Sequence, residues 1–263
     1  MIYVDIGRHD LGSEMVAFQR PGRNLTSTRG SDPSMPAPGS SAQRFRYDFH
    51  AHTYLTDGTV SATDMWTTSR SLGHRALAIT DHVGLENPEA MLRQLREEAE
   101  GWKGTDLITI IGVEITKAPP RKIAEVARRA RSLGAEIVIV HGETIYEVVP
   151  EGTNHAAIES GEVDILAHPG LLSERDAELA AANGTILEIS GRRGHCLSNG
   201  HVARLALQAG ARLVVDSDAH GPDQLLTRET AERLAKGAGL SPSDVQRAVE
   251  EAPLALLKKL GKT

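Results

Sequence analysis

A chain of 263 residues, 40% of them hydrophobic, has enough apolar surface to bury for one large α/β domain or two small ones. Its formal net charge of -6 argues against a nucleic-acid coat protein, because broad phosphate binding needs clustered lysine and arginine. A single cysteine, Cys196, excludes an internal disulfide, and no stretch is long and apolar enough for a signal-peptide core or a membrane span, so a cytoplasmic protein is expected.

From Pro21 to Gln43 most residues are Pro, Gly, Ser or Thr, with few apolar groups to offset the entropy of ordering. Residues 1–43 are therefore expected to form a flexible N-terminal tail, and residues 44–263 the folded domain. From Arg44 onward, apolar runs of strand length alternate with helical stretches, the runs beginning at Arg44, Arg75, Asp106, Glu136, Asp164, Thr185 and Ala211. Between them helices are predicted from Ser61 to Leu72, Pro88 to Glu100, Pro119 to Leu133, Thr153 to Ser160, Ser173 to Ala182 and Ser198 to Ala209, each closed by a following Gly or Asn-Gly. Thr227 to Gly237 and Ser241 to Leu260 are predicted as C-terminal helices packed on the outside. Repetition of this kind favours parallel strands joined by right-handed crossovers.

Each apolar run stops at a histidine, aspartate or glutamate. The first ends in His50-Ala51-His52, whose alternation turns both imidazoles to one side, as a metal requires. The others end at Asp81-His82, Glu114, His141, His168, Glu188 and the group Asp216, Asp218 and His220. Six of the eleven histidines lie at these ends, where chance would place roughly one. A doubly wound sheet uses the ends of a few central strands, whereas every end is polar here; only closure gathers seven ends around one centre. The expected fold is an α/β, seven-stranded (βα) barrel related to the TIM barrel, with a cup of histidines and carboxylates at the carboxyl ends. With 3% aromatic residues, the interior must be filled by aliphatic side chains. Imidazole with carboxylate suits Zn, Mn or Fe, and a ligand count near nine implies two or three ions rather than one. Such ions share a water and clamp the oxygens of a phosphoryl group, so no Ser or Cys nucleophile is needed.

His50-Ala51-His52, Thr56-Asp57-Gly58, Thr80-Asp81-His82, Gly112-Val113-Glu114, Val140-His141, Ala167-His168-Pro169 and Ser217-Asp218-Ala219-His220 closely resemble, in order, the motifs of the polymerase and histidinol phosphatase (PHP) family. The resemblance runs from about Tyr47 to Gly221, and Val140 to Thr144 with Glu151 to Asn154 is similar to archaeal-type members named after histidinol phosphatase. It implies a distorted barrel with up to three metals acting on phosphoric esters. By this resemblance His50, His52, Glu114 and Asp218 hold a first ion, Glu114 bridges to a second held by His141 and His168, and Asp57, His82 and His220 hold a third. Glu114, Asp218 and His220 are the ligands expected to bear most directly on catalysis. The expected cofactors are two to three divalent transition-metal ions, and the expected substrate a small phosphorylated compound or nucleotide, with a nucleic-acid end as a further candidate.

Arg192, Arg193 and His195 follow the sixth run in a loop that should overhang the cup; an arginine fork matches phosphate oxygens, so this loop supplies the candidate substrate contacts. Lys117 is a weaker candidate of the same kind. Glu188 either orients a ligand or binds metal, and Asp216 supports its strand. His74 and His201, beside helix ends, and His155, at a helix start, are read as capping or exposed, and Arg128, Arg129 and Arg131 as a solvated helix face. Two rivals stand beside the phosphoesterase reading. A hydrolase of C–N bonds also begins with His-x-His, but commonly uses a lysine where His141 stands; a non-catalytic RNA- or polymerase-binding module need not keep so many ligands.

Overall fold

The structure, a computed structural model, describes residues 44–262; the expected tail at residues 1–43 lies outside the described residues. The strands are β1 (Arg46–Asp48), β2 (His74–Ile79), β3 (His82–Val83), β4 (Ile108–Ile115), β5 (Ile137–His141), β6 (Ile165–Ala167), β7 (Ile186–Ser190) and β8 (Leu213–Asp216). Hydrogen bonding runs β1-β2-β4-β5-β6-β7-β8 with every pair parallel, which gives a nearly closed barrel of seven strands, as the alternation of apolar runs and helices predicts. The short β3 resumes the path of β2 after Thr80-Asp81 and pairs with the later half of β4, aligning His82 with Glu114.

The connecting helices are α1 (Ala62–Ser71), α2 (Glu89–Glu100), α3 (Ile123–Ser132), α4 (Thr153–Glu159), α5 (Glu174–Asn183) and α6 (Asn199–Ala209), followed by α7 (Arg228–Gly237). Their starts follow side-chain chemistry: Ser61 and Asp64 form a reciprocal capping box at α1, while Ser173 and Thr227 cap α5 and α7. No helix among the described residues is long and apolar enough to cross a membrane.

Between β8 and β1 the barrel is closed by carboxylates instead of a ladder. The Phe49 N–H donates to Asp216 Oδ1 at 2.8 Å and the Ser217 N–H to Asp48 Oδ1 at 3.0 Å, and beyond them Ala51 bridges to Ala219. Asp48 in turn accepts from the buried Arg46 guanidinium at 2.8 Å. Asp216 thus supports the seam, as read from sequence; the equal role of Asp48 was not.

Alternation along the strands sorts side chains into two layers. Tyr47, Phe49, Ala78, Ile110, Ile139 and Ile165 meet inside the barrel, whereas Val113, Val138, Val140, Leu166, Leu187 and Val215 pack outward against the helices. The C-terminal stretch departs from expectation. It is divided into α8 (Pro242–Gln246), a π turn (Arg247–Glu251) and α9 (Ala252–Lys259), and Ala252, Leu256 and Leu257 join the interior cluster, stoppering the barrel at the ends opposite the histidines. Its apolar residues cover the open floor that a ring of strands leaves.

His74 is also corrected: it is buried on β2, with its Nε2 facing the Leu226 carbonyl at 2.9 Å. Burial, aided by the Arg46 charge, lowers its pKa from 6.5 to about 4, so the folded ring stays neutral where the unfolded one takes a proton. In that interval the unfolded state binds more protons, and this group makes stability fall as pH drops from about 6.5 to about 4, by on the order of 3 kcal/mol in all. His74→Gln keeps a donor but does not titrate; urea midpoints at pH 5 and pH 7.5 are expected to lie closer together in the variant than in the parent.

Candidate metal centre

The carboxyl ends of the strands bring all nine expected ligands to one cup, by several local devices. On β4 the inward positions Ile110, Gly112 and Glu114 alternate cleanly, and on β5 Ile139 leads to His141 in the same way. At Gly112 a Cβ would sit 2.3 Å from the Ile137 carbonyl oxygen, so glycine lets the two strands approach here. The first pair works differently from a regular strand, because β1 stops at Asp48. Tyr47 and Phe49 both face the interior core, so alternation slips after Phe49, and His50 and His52 are set inward by the extended segment tied at Ala51. His168 and Asp218 have φ of 28° and 51°, a region that costs non-glycine residues energy, and with Lys117 at 56° they are the only such residues among those described. All three lie at the cup. Asp57 arrives on a loop held by buried Asp81, which accepts from the Thr53 N–H and from both the Thr53 and Thr56 hydroxyls at 2.7–2.8 Å.

Glu114 is the hub. Its Oε1 lies 3.2 Å from His141 Nδ1 and 3.4 Å from both His50 Nε2 and His168 Nε2. Its Oε2 lies 2.8 Å from His82 Nδ1 and 3.6 Å from His52 Nε2. Asp218 faces His52 at 3.3 Å, and Asp57 faces His82 and His220 at 3.3 and 3.2 Å. Glu188 is turned toward the ligands' supports: Oε1 meets His50 Nδ1 at 2.9 Å and Oε2 accepts the His168 N–H at 2.8 Å. It therefore braces His50 and His168, two of the expected ligands, in one of the two roles read from sequence.

The charges of the cup are strongly coupled. Burial opposes ionisation of Glu114, but His50, His82 and His141 hold its carboxyl well below the usual range. Against the same burial, Asp218, Glu114 and Glu188 lift His50 well above its ordinary value, and Glu114 with Asp57 raises His82 to about 10. His52 and His168, dominated by burial, fall to about 4 and about 3. In the metal-free cup the carboxylates thus favour the protonated forms of His50 and His82.

Hydrogen bonds leave the cup unsatisfied. Of seventeen buried side-chain nitrogens and oxygens without a partner among the described residues, ten belong to His50, His52, Glu114, His141, His168 and His195. Buried polar atoms in such number call for another partner. Four groups of ligand atoms lie close enough to share an ion: His52-Asp57-His82-His220, His50-His52-Asp218, His50-Glu114-His168 and His168-His195-Asp218. Imidazole and carboxylate donors in these sets fit Zn, Mn or Fe.

Above the ligands opens a cavity of about 330 Å³ whose outer wall includes Glu86, Lys117, Glu147 and Arg192. The loop after β7 divides the residues expected to contact substrate. Arg192 reaches the ligands, donating to the Asp218 carbonyl at 3.2 Å and lying 2.5 Å from His220 Nδ1. Arg193 is exposed and does not line the cavity, whereas His195 lines it while packed against His141 and His168. Glu147 and Glu86 were not singled out in the sequence, since nothing in their spacing distinguishes them from solvated acids. His201 and His155 make local bonds, to the Leu172 carbonyl and to Asp176, away from the cup.

A PHP domain is matched over residues 48–236. An uncharacterised protein of Methanocaldococcus jannaschii is 41% identical over 217 residues, 82% of this chain and 100% of that protein. Ribonuclease P protein component 3 of Methanococcoides burtonii is 26% identical over 233 residues, covering 83% of this chain and 89% of that one. A probable phosphatase of Shewanella loihica is 27% identical over 243 residues, 82% of this chain and 94% of its own. Among solved structures, histidinol phosphate phosphatase from Lactococcus lactis, crystallised with zinc, L-histidinol and phosphate, is similar at a TM-score of 0.54 and 14% identity, over 74% of this chain and 94% of that chain; this likeness is one of fold.

Proposed function

The chain belongs to the PHP family, and from that premise we propose that it is a metal-dependent hydrolase of phosphoric esters acting on a small phosphomonoester or nucleotide. The observation that carries this reading is a buried carboxylate, Glu114, with five imidazoles within 3.6 Å. His50, His52, Glu114 and Asp218 would hold one ion, Glu114, His141 and His168 a second, and Asp57, His82 and His220 a third. When bound, such ions supply Lewis-acid polarisation of a phosphoryl oxygen and a water acidified toward neutral pH.

The chain's own residues do the rest. Glu188 fixes the His50 ring through Nδ1, which leaves Nε2 to face Glu114 and Asp218. Asp218 accepts, through its carbonyl, from Arg192, whose guanidinium stands at the cavity wall where it can take phosphate oxygens in a fork. Lys117, at φ 56°, adds a second positive charge to the cavity lining. The cavity is of the size that encloses a small molecule.

A second reading, an RNA-binding subunit, is favoured by one observation, the similarity to ribonuclease P protein component 3. The complete ligand set weighs toward chemistry, because a binding module gains nothing from carboxylates buried among imidazoles. The test is a panel of phosphomonoesters, histidinol phosphate and nucleoside monophosphates included, beside short oligoribonucleotides, with Mn, Zn, Fe or Mg. Turnover of at least one monoester, abolished by chelator, is expected. Tight RNA binding without hydrolysis of any ester by any metal form would overturn the proposal in favour of the second reading.

A further inference from the structure

We propose that His195 is itself a metal ligand, joining His168 on the ion that His168 shares with Glu114, on the side where Asp218 stands. The inference rests on the reading of the cup as a multi-ion centre. His195 is 2% exposed, and both its ring nitrogens are sealed from solvent without a hydrogen-bond partner. Its ring stands 4.1 Å from that of His168 at 78° and 5.6 Å from that of His141 at 89°, and those two rings lie 4.4 Å apart at 72°. Three imidazoles thus stand nearly perpendicular to one another, with all six nitrogens unpaired. One ring nitrogen of His195 falls within 4.8 Å of ligand atoms of both His168 and Asp218.

The backbone shows that this placement is built. Gly194 adopts φ 91°, open to glycine at little cost, and a Cβ there would meet the Tyr146 ring at 2.6 Å. Tyr146 therefore packs closely on Gly194, with its ring 6.0 Å from that of His195 at 54°. Glu147, next on the same loop, sets Oε1 3.4 Å from His195 Nε2 and Oε2 3.8 Å from His141 Nε2. A packed core histidine would pair at least one nitrogen, as His74 does with the Leu226 carbonyl. His195 borders the cavity, yet neither of its ring nitrogens is exposed there, and the ring faces the other imidazoles. A cation shared with His168 and Asp218 gives one nitrogen of the ring a partner and partly neutralises Asp218.

The test uses the full-length chain, stripped by chelator and titrated with cobalt(II), read by calorimetry and by the visible absorption of the bound ion. In the parent, two or more ions are expected. In His195→Ala one of them is expected to weaken on the order of 100-fold, with a changed visible spectrum, while the remaining ions bind as before. His195→Gln, which keeps volume and a weaker oxygen donor, guards against misfolding and is expected to fall between. Unchanged affinities and spectra in both folded variants would overturn the assignment of His195 alone. A parent chain that takes up no cobalt would overturn the multi-ion reading, and this inference with it.

Discussion

Replacing Glu114 with Gln is expected to reduce phosphoester hydrolysis by about three orders of magnitude or more, the several kcal/mol that bound ions contribute to such a reaction. The change removes one negative charge from between five imidazoles and is nearly isosteric, so packing cannot account for the loss. Two ion positions share this carboxylate in the proposed centre, and both should weaken together: elemental analysis after reconstitution should show at least two ions fewer than in the parent where three are bound. The same change alters the metal-free protein. Glu114 helps lift His50 and His82 above their ordinary values, so in Glu114→Gln both rings should release protons at lower pH, visible as shifted imidazole resonances in chelator-treated samples. A variant that keeps full activity with its metals gone would refute the mechanism.

The second large effect is expected at Arg192, and it separates activity from metal content. Its guanidinium stands beside His220 and the Asp218 carbonyl and lines the cavity. Arg192→Ala removes a positive charge next to metal ligands, which favours cation binding if it acts on it at all, so metal content should be kept or improved. Clamping of a phosphate would be lost, at a cost in kcat/KM of about 2–4 kcal/mol, or roughly 30- to 1000-fold. Arg193→Ala, on an exposed side chain outside the cavity, should change kcat/KM by less than twofold. Equal kinetics for the parent and Arg192→Ala would remove the clamp from the account and leave the metal centre untouched.

How much of this was legible in the sequence follows from how local each cause is. The run Ile108 to Glu114 states its own geometry, since strand alternation places Ile110, Gly112 and Glu114 on one face and the apolar run ends there. His141 is as plain. His168 is named by its motif but not aimed by alternation: Ala167 already faces inward, and only a φ of 28° turns the next residue the same way. The closing of the barrel by Asp48 and Asp216 and its stoppering by Leu256 and Leu257 depend on partners some forty to nearly 170 residues away, which periodicity does not encode. The same holds in the loop after β7. Arg192, Arg193 and His195 are alike as charged residues near a strand end, and what separates them is Tyr146 resting on Gly194 from another loop.

One measurement reaches the metal centre most directly: metal content and phosphomonoester turnover of the parent chain, followed together as stripped protein is reconstituted with Zn or Mn. Two to three ions per chain are expected, with turnover absent from the stripped protein and rising as the ions that share Glu114 are filled. Fewer than one ion per chain after reconstitution, or turnover that is the same with and without metal, would contradict it.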